Sequence, residues 1–178
     1  MTRHRLVPWF DVGVDDLERA MAGAGAVPAE PEEGVLAAWR VGKTGVHLVE
    51  EGVPQLAVDG DDADRVAADL RDRIRVYRPA DMPAVFDDGI HGWDSKLTIL
   101  GAVAPPEADP ALVELFRRGF AHPDPHVRVT AALAAGIPRW PELRPDIERL
   151  ATADPEERVR RPAALVLAEI DRGAPSEL

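Results

Sequence analysis

The chain has 178 residues, 46% hydrophobic and 30% charged, with aromatics at only 5%. That is enough for one ordinary domain or two very small ones, in a folded rather than disordered composition. The net charge of −11 repels phosphate backbones, which argues against nucleic acid as a partner, and no cysteine is present to form a disulfide, a thiolate zinc site or a nucleophile.

The acidity is even: residues 1–80 hold 10 basic and 15 acidic side chains, residues 81–178 hold 11 and 17. Such a surface favours encounter with a basic partner. The opening "MTRHRLVPWFDVG" lacks an apolar core of signal-peptide length, and no window approaches the roughly 20 apolar residues of a membrane helix. The expectation is a cytoplasmic protein with no membrane partner.

Leu6–Gly13 is short, apolar and aromatic, a strand that Pro8 assigns to a sheet edge. The helix that follows places Leu17, Ala20, Met21 and Ala24 on one face, with Asp15 or Asp16 to cap it and Gly25 to end it. Val27–Gly34, with two prolines, reads as a loop. Val35–Val41 alternates as a strand, Gly42–Gly45 turns, and Val46–Glu50 returns, with Gln55–Val58 as a third strand of a meander. A helix from Asp61 to Ile74 then buries Ala63, Val66, Ala67, Leu70 and Ile74, its acids at the start and Arg71, Arg73 and Arg75 near the end. Residues 1–80 thus form a small α+β domain, a sheet with two helices.

Two motifs in this part fail on spacing. Asp59, Asp61, Asp62 and Asp64 suggest calcium, but an EF-hand loop counted from Asp59 needs Gly and Glu where Asp64 and Leu70 stand. Lys43-Thr44 lies between two strands without the Gly-rich lead of a phosphate loop. His47 is out of phase with Val46 and Leu48 and therefore faces solvent, and Glu50 and Glu51 read as surface charges.

Residues 81–93 read as a linker. Within "FDDGIHGWD" (Phe86–Asp94), Phe86 and Trp93 bracket Asp87, Asp88 and His91. This set reads as a partner-facing loop or a modest acid–base site; set against both is the plainer reading, which the sequence favours, that the aromatics pack and the acids cap helices.

Beyond it the sequence repeats itself. "HPDPHVRVTAALAA" (His122–Ala135) lies over "DPEERVRRPAALVL" (Asp154–Leu167) at an offset of 32 with no gap. A helical pattern precedes each copy, Leu112, Leu115, Phe116 and Phe120 in the first, Leu143, Ile147, Leu150 and Ala151 in the second. One period earlier, Gly92–Ala104 is a helix with Leu97, Leu100 and Val103 on one side and Lys96 in the place of the arginine. His122 and His126 have metal-ligand spacing, but their counterparts are Asp154 and Arg158; an arginine cannot ligate a metal, so the turn needs none.

These residues, Asp-Pro followed by Val-Arg and Ala-Ala-x-x-Leu after a Leu-rich helix, resemble a HEAT or HEAT-like repeat over roughly residues 93–172. The resemblance implies a C-terminal α-helical repeat domain, 94–172, with a tail at 173–178. It implies that Arg128 and Arg160 are framework positions near the inter-helix turns and that Asp154 is the turn acid. His122 replaces that acid in the first copy, leaving Asp124 to cap, and Pro162 should kink the last helix or delay its start.

No catalytic motif is present; the only serines are Ser95 and Ser176, outside any G-x-S-x-G. The expected function is a non-catalytic protein-interaction module without cofactor or metal, in a specific version an acidic inhibitor or bacterial immunity-type protein for a basic partner. Asp87, Asp88, His91 and Trp93 are the candidate partner-binding residues. The alternatives are an enzyme using Asp87, Asp88 and His91, and an assembly subunit that oligomerises by a sheet edge.

Overall fold

The computed structural model describes residues 3–50 and 53–172; Glu51, Ser176 and the tail lie outside the described residues. Two compact units divide at Tyr77 and Arg78.

The N-terminal unit is an α+β module. Strands β1 (Arg3–Leu6), β2 (Val27–Ala29), β3 (Val35–Val41), β4 (Thr44–Glu50) and β5 (Pro54–Asp59) form one antiparallel sheet in the order β1-β5-β4-β3-β2. Helices α1 (Val14–Gly23) and α2 (Ala63–Arg73) cover one of its faces. Alternation decides which face: Leu6, Val41, Val46, Leu48, Leu56 and Val58 point to the helices and bury Leu17, Met21, Val66 and Leu70 among them. The opposite face carries Arg40 on β3, Gly45 and His47 on β4, and Ala57 and Asp59 on β5.

Two expectations change here. Val27–Ala29 is a strand inside what reads as a loop; Pro28 is tolerated because β2 is an outer strand, where a missing N–H breaks no ladder. Pro8 lies beyond β1 and forms an isolated bridge with Val76. The β3–β4 turn has only two residues, Gly42 and Lys43, and the positive φ of 61° at Gly42 is what such a tight hairpin demands of its first position.

The C-terminal unit is helical throughout: α3 (Met82–Asp87), α4 (Trp93–Val103), α5 (Pro110–Phe120), α6 (Pro125–Ala135), α7 (Arg144–Ala153) and α8 (Glu157–Arg172), with single 3-10 turns at Pro79–Asp81 and Pro141–Leu143. Helix α6 packs between α4 and α8, and α5 packs between α3 and α7. The helices therefore form two layers of successive antiparallel pairs. Small side chains let the layers close: Ala131, Ala132, Ala134 and Ala135 of α6 are all buried, and a Cβ added at Gly101 would lie 2.7 Å from the Ala134 carbonyl oxygen. Starts are set by caps. Asp109 Oδ1 accepts from the amides of Ala111 and Leu112 before Pro110 opens α5, and Asp124 Oδ1 accepts from His126 N (2.9 Å) at α6. Helix α8 starts at Glu157 and runs through Pro162, so the proline does not delay its start; inside the helix it leaves out one backbone donor.

Among the described residues one non-glycine position has a positive φ. Arg139, between α6 and α7, has φ of 54°, and its Nε and Nη1 are buried without a hydrogen-bond partner. Arg139→Gly relieves the left-handed conformation and removes the unsatisfied donors. We expect it to raise stability by about 1 kcal/mol in a urea titration; a loss of stability would show that the guanidinium stem's packing outweighs both terms.

Candidate functional site

The turns between the paired helices hold the most densely bonded polar residues of the C-terminal unit. In the third pair, Arg160 Nη1 donates to the carbonyls of Asp154 (2.6 Å) and Pro155 (3.0 Å). In the second, Arg128 Nη1 donates to those of His122 (2.9 Å) and Pro123 (3.1 Å). One clamp is thus built twice, each arginine reaching back to the turn that opens its own helix. Arg128 does more. Its Nε and Nη2 grip both carboxylate oxygens of Asp154, at 2.7 and 2.9 Å, tying the second turn to the third. Asp154 Oδ1 also accepts the Glu156 amide (2.9 Å). The Arg128 hydrogen bonds hold the Asp154 carboxyl below the usual carboxylate range, overcoming the opposing effect of burial.

His122 stands in the place of that acid and replaces one of its bonds. Its Nδ1 accepts the Asp124 amide (3.1 Å), as Asp154 accepts the Glu156 amide two residues on. Its ring lies 4.8 Å from that of Trp93. His126 Nε2 is 3.6 Å from Asp94 Oδ2, and Thr130 Oγ1 donates to Asp94 Oδ1 (2.8 Å), linking α6 to α4. Among the described residues no group of three His, Asp or Glu could hold a metal.

In the first pair, Lys96 stands where the arginines stand, and its charge is buried. It cannot reach a turn acid one period on, because His122 is there. Instead Nζ donates to the Phe86 carbonyl (2.9 Å) and lies 3.5 Å from Asp88 Oδ1. Asp88 closes the loop: it accepts from Ile90 N (2.9 Å), His91 N (3.3 Å) and His91 Nδ1 (2.7 Å). Desolvation pushes its carboxyl up, but the His91 side chain and the two loop amides together outweigh this and hold it at about 2. Phe86 and Trp93 meet edge-to-face at 5.6 Å, with the Arg118 guanidinium 5.7 Å from each ring centre. Of the four candidate residues, the structure thus joins Asp88, His91 and Trp93 to the internal bonds and ring contacts of this loop. Asp87 is exposed, 3.7 Å from Arg118.

The residues that the candidate set omits are apolar. Ile90 at the tip of this loop is 69% exposed, and Leu133 and Leu165 on α6 and α8 are 52% and 63% exposed. The positions of Leu133 and Leu165 were readable from helical phase. Val127, Ala131 and Ala134 define the buried side of α6, and Val159, Ala163 and Val166 that of α8; a residue two beyond Ala131 or Ala163 points away from it.

A turn clamp repeated at one period, on helix pairs stacked by translation, is the observation that decides the kind of structure, and residues 97–172 match the family model of HEAT repeats. The C-terminal segment is made of HEAT repeats. The match leaves the N-terminal unit outside it, and no curated protein and no solved structure matches the chain. In the HEAT segment Arg128 and Arg160 bind their own turns and Asp154 joins two of them; just before it, Lys96 with Asp88 takes over where the arginine and the acid are both missing. No described helix is long and apolar enough to cross a membrane.

Proposed function

We propose that this chain is a non-catalytic protein-binding module whose partner docks on the outward face of α6 and α8. The observation that carries the reading is the paired exposure of Leu133 and Leu165, 32 positions apart on adjacent packed helices. Two large apolar side chains at equivalent positions of packed helices supply the centre of a contact surface, with polar neighbours as its rim. HEAT repeats generally serve protein interaction, which supports the same reading. Asp87 and Ile90 add a second contact on the loop that Asp88, His91 and Trp93 hold in shape. The net charge of −11 supports a basic partner and hence the inhibitor or immunity-type role. The acid–base reading of Asp87, Asp88 and His91 gains no support from a geometry in which Asp88 is engaged by His91 and by two loop amides.

The test is Leu133→Glu with Leu165→Glu. Both positions are exposed, so we expect each change to alter stability by no more than about 0.5 kcal/mol. The partner captured from source-cell extract by the parent protein should be lost with the double variant at unchanged circular dichroism. Equal capture by both proteins would overturn the surface. Capture that survives rising salt undiminished would overturn the basic partner while leaving the apolar surface standing.

A further inference from the structure

On the sheet face of the N-terminal unit that α1 and α2 do not cover, His47 folds back along its own strand. A Cβ added at Gly45 would lie 2.6 Å from His47 Nε2 and 3.3 Å from Asp59 Oδ1. Only glycine at position 45 leaves room for this arrangement, in which His47 Nε2 stands 3.5 Å from Asp59 Oδ2 on the neighbouring strand. The ladder sets Arg40 opposite Gly45, and Gly45 opposite Asp59, in one cross-strand row. Trp39, Arg40, Lys43, His47 and Asp59 line an open cavity of about 360 Å³ there.

The charges are unusual for so acidic a chain. The Arg40 and Lys43 side chains have no hydrogen-bond or ion-pair partner among the described residues. Of the nearby carboxylates, Asp59 lines the cavity beside His47, at 3.5 Å, leaving Arg40 and Lys43 in excess there, and Asp62 is turned to Arg65 at 3.4 Å. The scaffold is also fixed in advance. Thr44, fully buried between Lys43 and Gly45, accepts the Asp62 amide on Oγ1 (3.2 Å), and Gly60, at φ of 130°, lets the α2 approach pass so close that a Cβ there would lie 2.9 Å from Thr44 Cα. A hairpin pinned in this way has little ordering left to lose on binding.

We propose that this cavity binds the phosphoryl group of a small phosphomonoester. The Arg40 guanidinium offers a planar fork to two phosphate oxygens, Lys43 a point charge, and His47 a third donor whose ring Asp59 holds in place. Two fixed cations and a histidine suit a doubly charged oxyanion better than a single carboxylate. The cavity is larger than a bare phosphate and so leaves room for a carried group. The overall acidity does not oppose this: charges more than about 8 Å away are largely screened at physiological salt, so a small anion meets the local cations while an extended polyanion meets the whole surface.

The experiment titrates the ¹⁵N-labelled full chain at low ionic strength with inorganic phosphate, ribose 5-phosphate, sodium acetate and sodium chloride, reading the amides of residues 39–47. We expect saturating shifts with both phosphates, tighter for ribose 5-phosphate, with acetate about tenfold weaker and chloride without effect. Arg40→Gln should weaken ribose 5-phosphate about tenfold, the usual consequence of losing a charged bidentate contact, with the spectrum otherwise unchanged. Shifts with phosphate that fail to saturate or that chloride reproduces would overturn the site. So would an Arg40→Gln, Lys43→Gln double variant that binds like the parent. Acetate binding as tightly as phosphate would overturn the phosphoryl assignment, and ribose 5-phosphate binding no tighter than phosphate would overturn the carried group.

Discussion

Trp140→Ala should cost about 4 kcal/mol, the range for emptying a buried aromatic site. Trp140 is 1% exposed, and its ring meets that of Phe116 edge-to-face at 5.9 Å. Its indole Nε1 donates to the Pro105 carbonyl at 2.9 Å, so one side chain joins the α4–α5 connection to the start of the third helix pair. Phe116 and the helix ends around the ring are held by their own packing, and a close-packed surround fills such a void poorly. Set against a typical total of about 5–15 kcal/mol, the loss brings the HEAT segment close to unfolding at room temperature. Trp140→Phe separates the two contributions. It keeps most of the packing and leaves the Pro105 carbonyl without its donor, for about 1–2 kcal/mol. Urea titrations followed by far-ultraviolet circular dichroism read both; a Trp140→Ala stability within about 1 kcal/mol of the parent would mean that the third pair is held by other contacts.

The stacked helices were legible because a period of 32 carries two signals at once. It preserves the phase of each helix and the composition of each turn, so His122–Ala135 and Asp154–Leu167 align without a gap. The N-terminal sheet was legible where alternation and a Gly-containing turn coincide, at β3 and β4. Features made by distant partners were not. Strand β2 is three residues with a proline, and only pairing with β3 makes it a strand. Helix α3 has six residues, too few for a helical period to show, and stands within the stretch that reads as a linker. His47 was correctly placed off the core face, yet its approach to Asp59 depends on a register between β4 and β5 that no local pattern encodes. Lys96 could be recognised as the arginine's substitute, but its burial follows from the Phe86 carbonyl and Asp88 folding back over it.

The second large effect concerns the Arg128–Asp154 charge pair, which ties two HEAT turns together. The Asp154 side chain is 3% exposed and that of Arg128 11%, so neither charge is well solvated and each depends on the other. Asp154→Ala should cost about 3 kcal/mol, because it leaves a half-buried guanidinium with its fork empty and the Glu156 amide without its acceptor. Arg128→Met strands the carboxylate in the same way and also frees the carbonyls of His122 and Pro123. The double variant should cost less than the sum of the two, since no unpaired charge then remains buried. Titration gives an independent check. The folded-state pKa of Asp154 is depressed by Arg128, so the pair's contribution is complete above the unfolded value near 3.8 and is lost as pH falls through the lower folded value. Asp88, held at about 2, acts in the same direction, its part being lost between about pH 4 and pH 2. The parent should therefore lose stability steadily from about pH 4 towards pH 2, and Asp154→Ala should lose less over that interval because part of its loss is already taken. Parallel curves for the two proteins would mean that the Arg128–Asp154 contact contributes nothing to joining the turns.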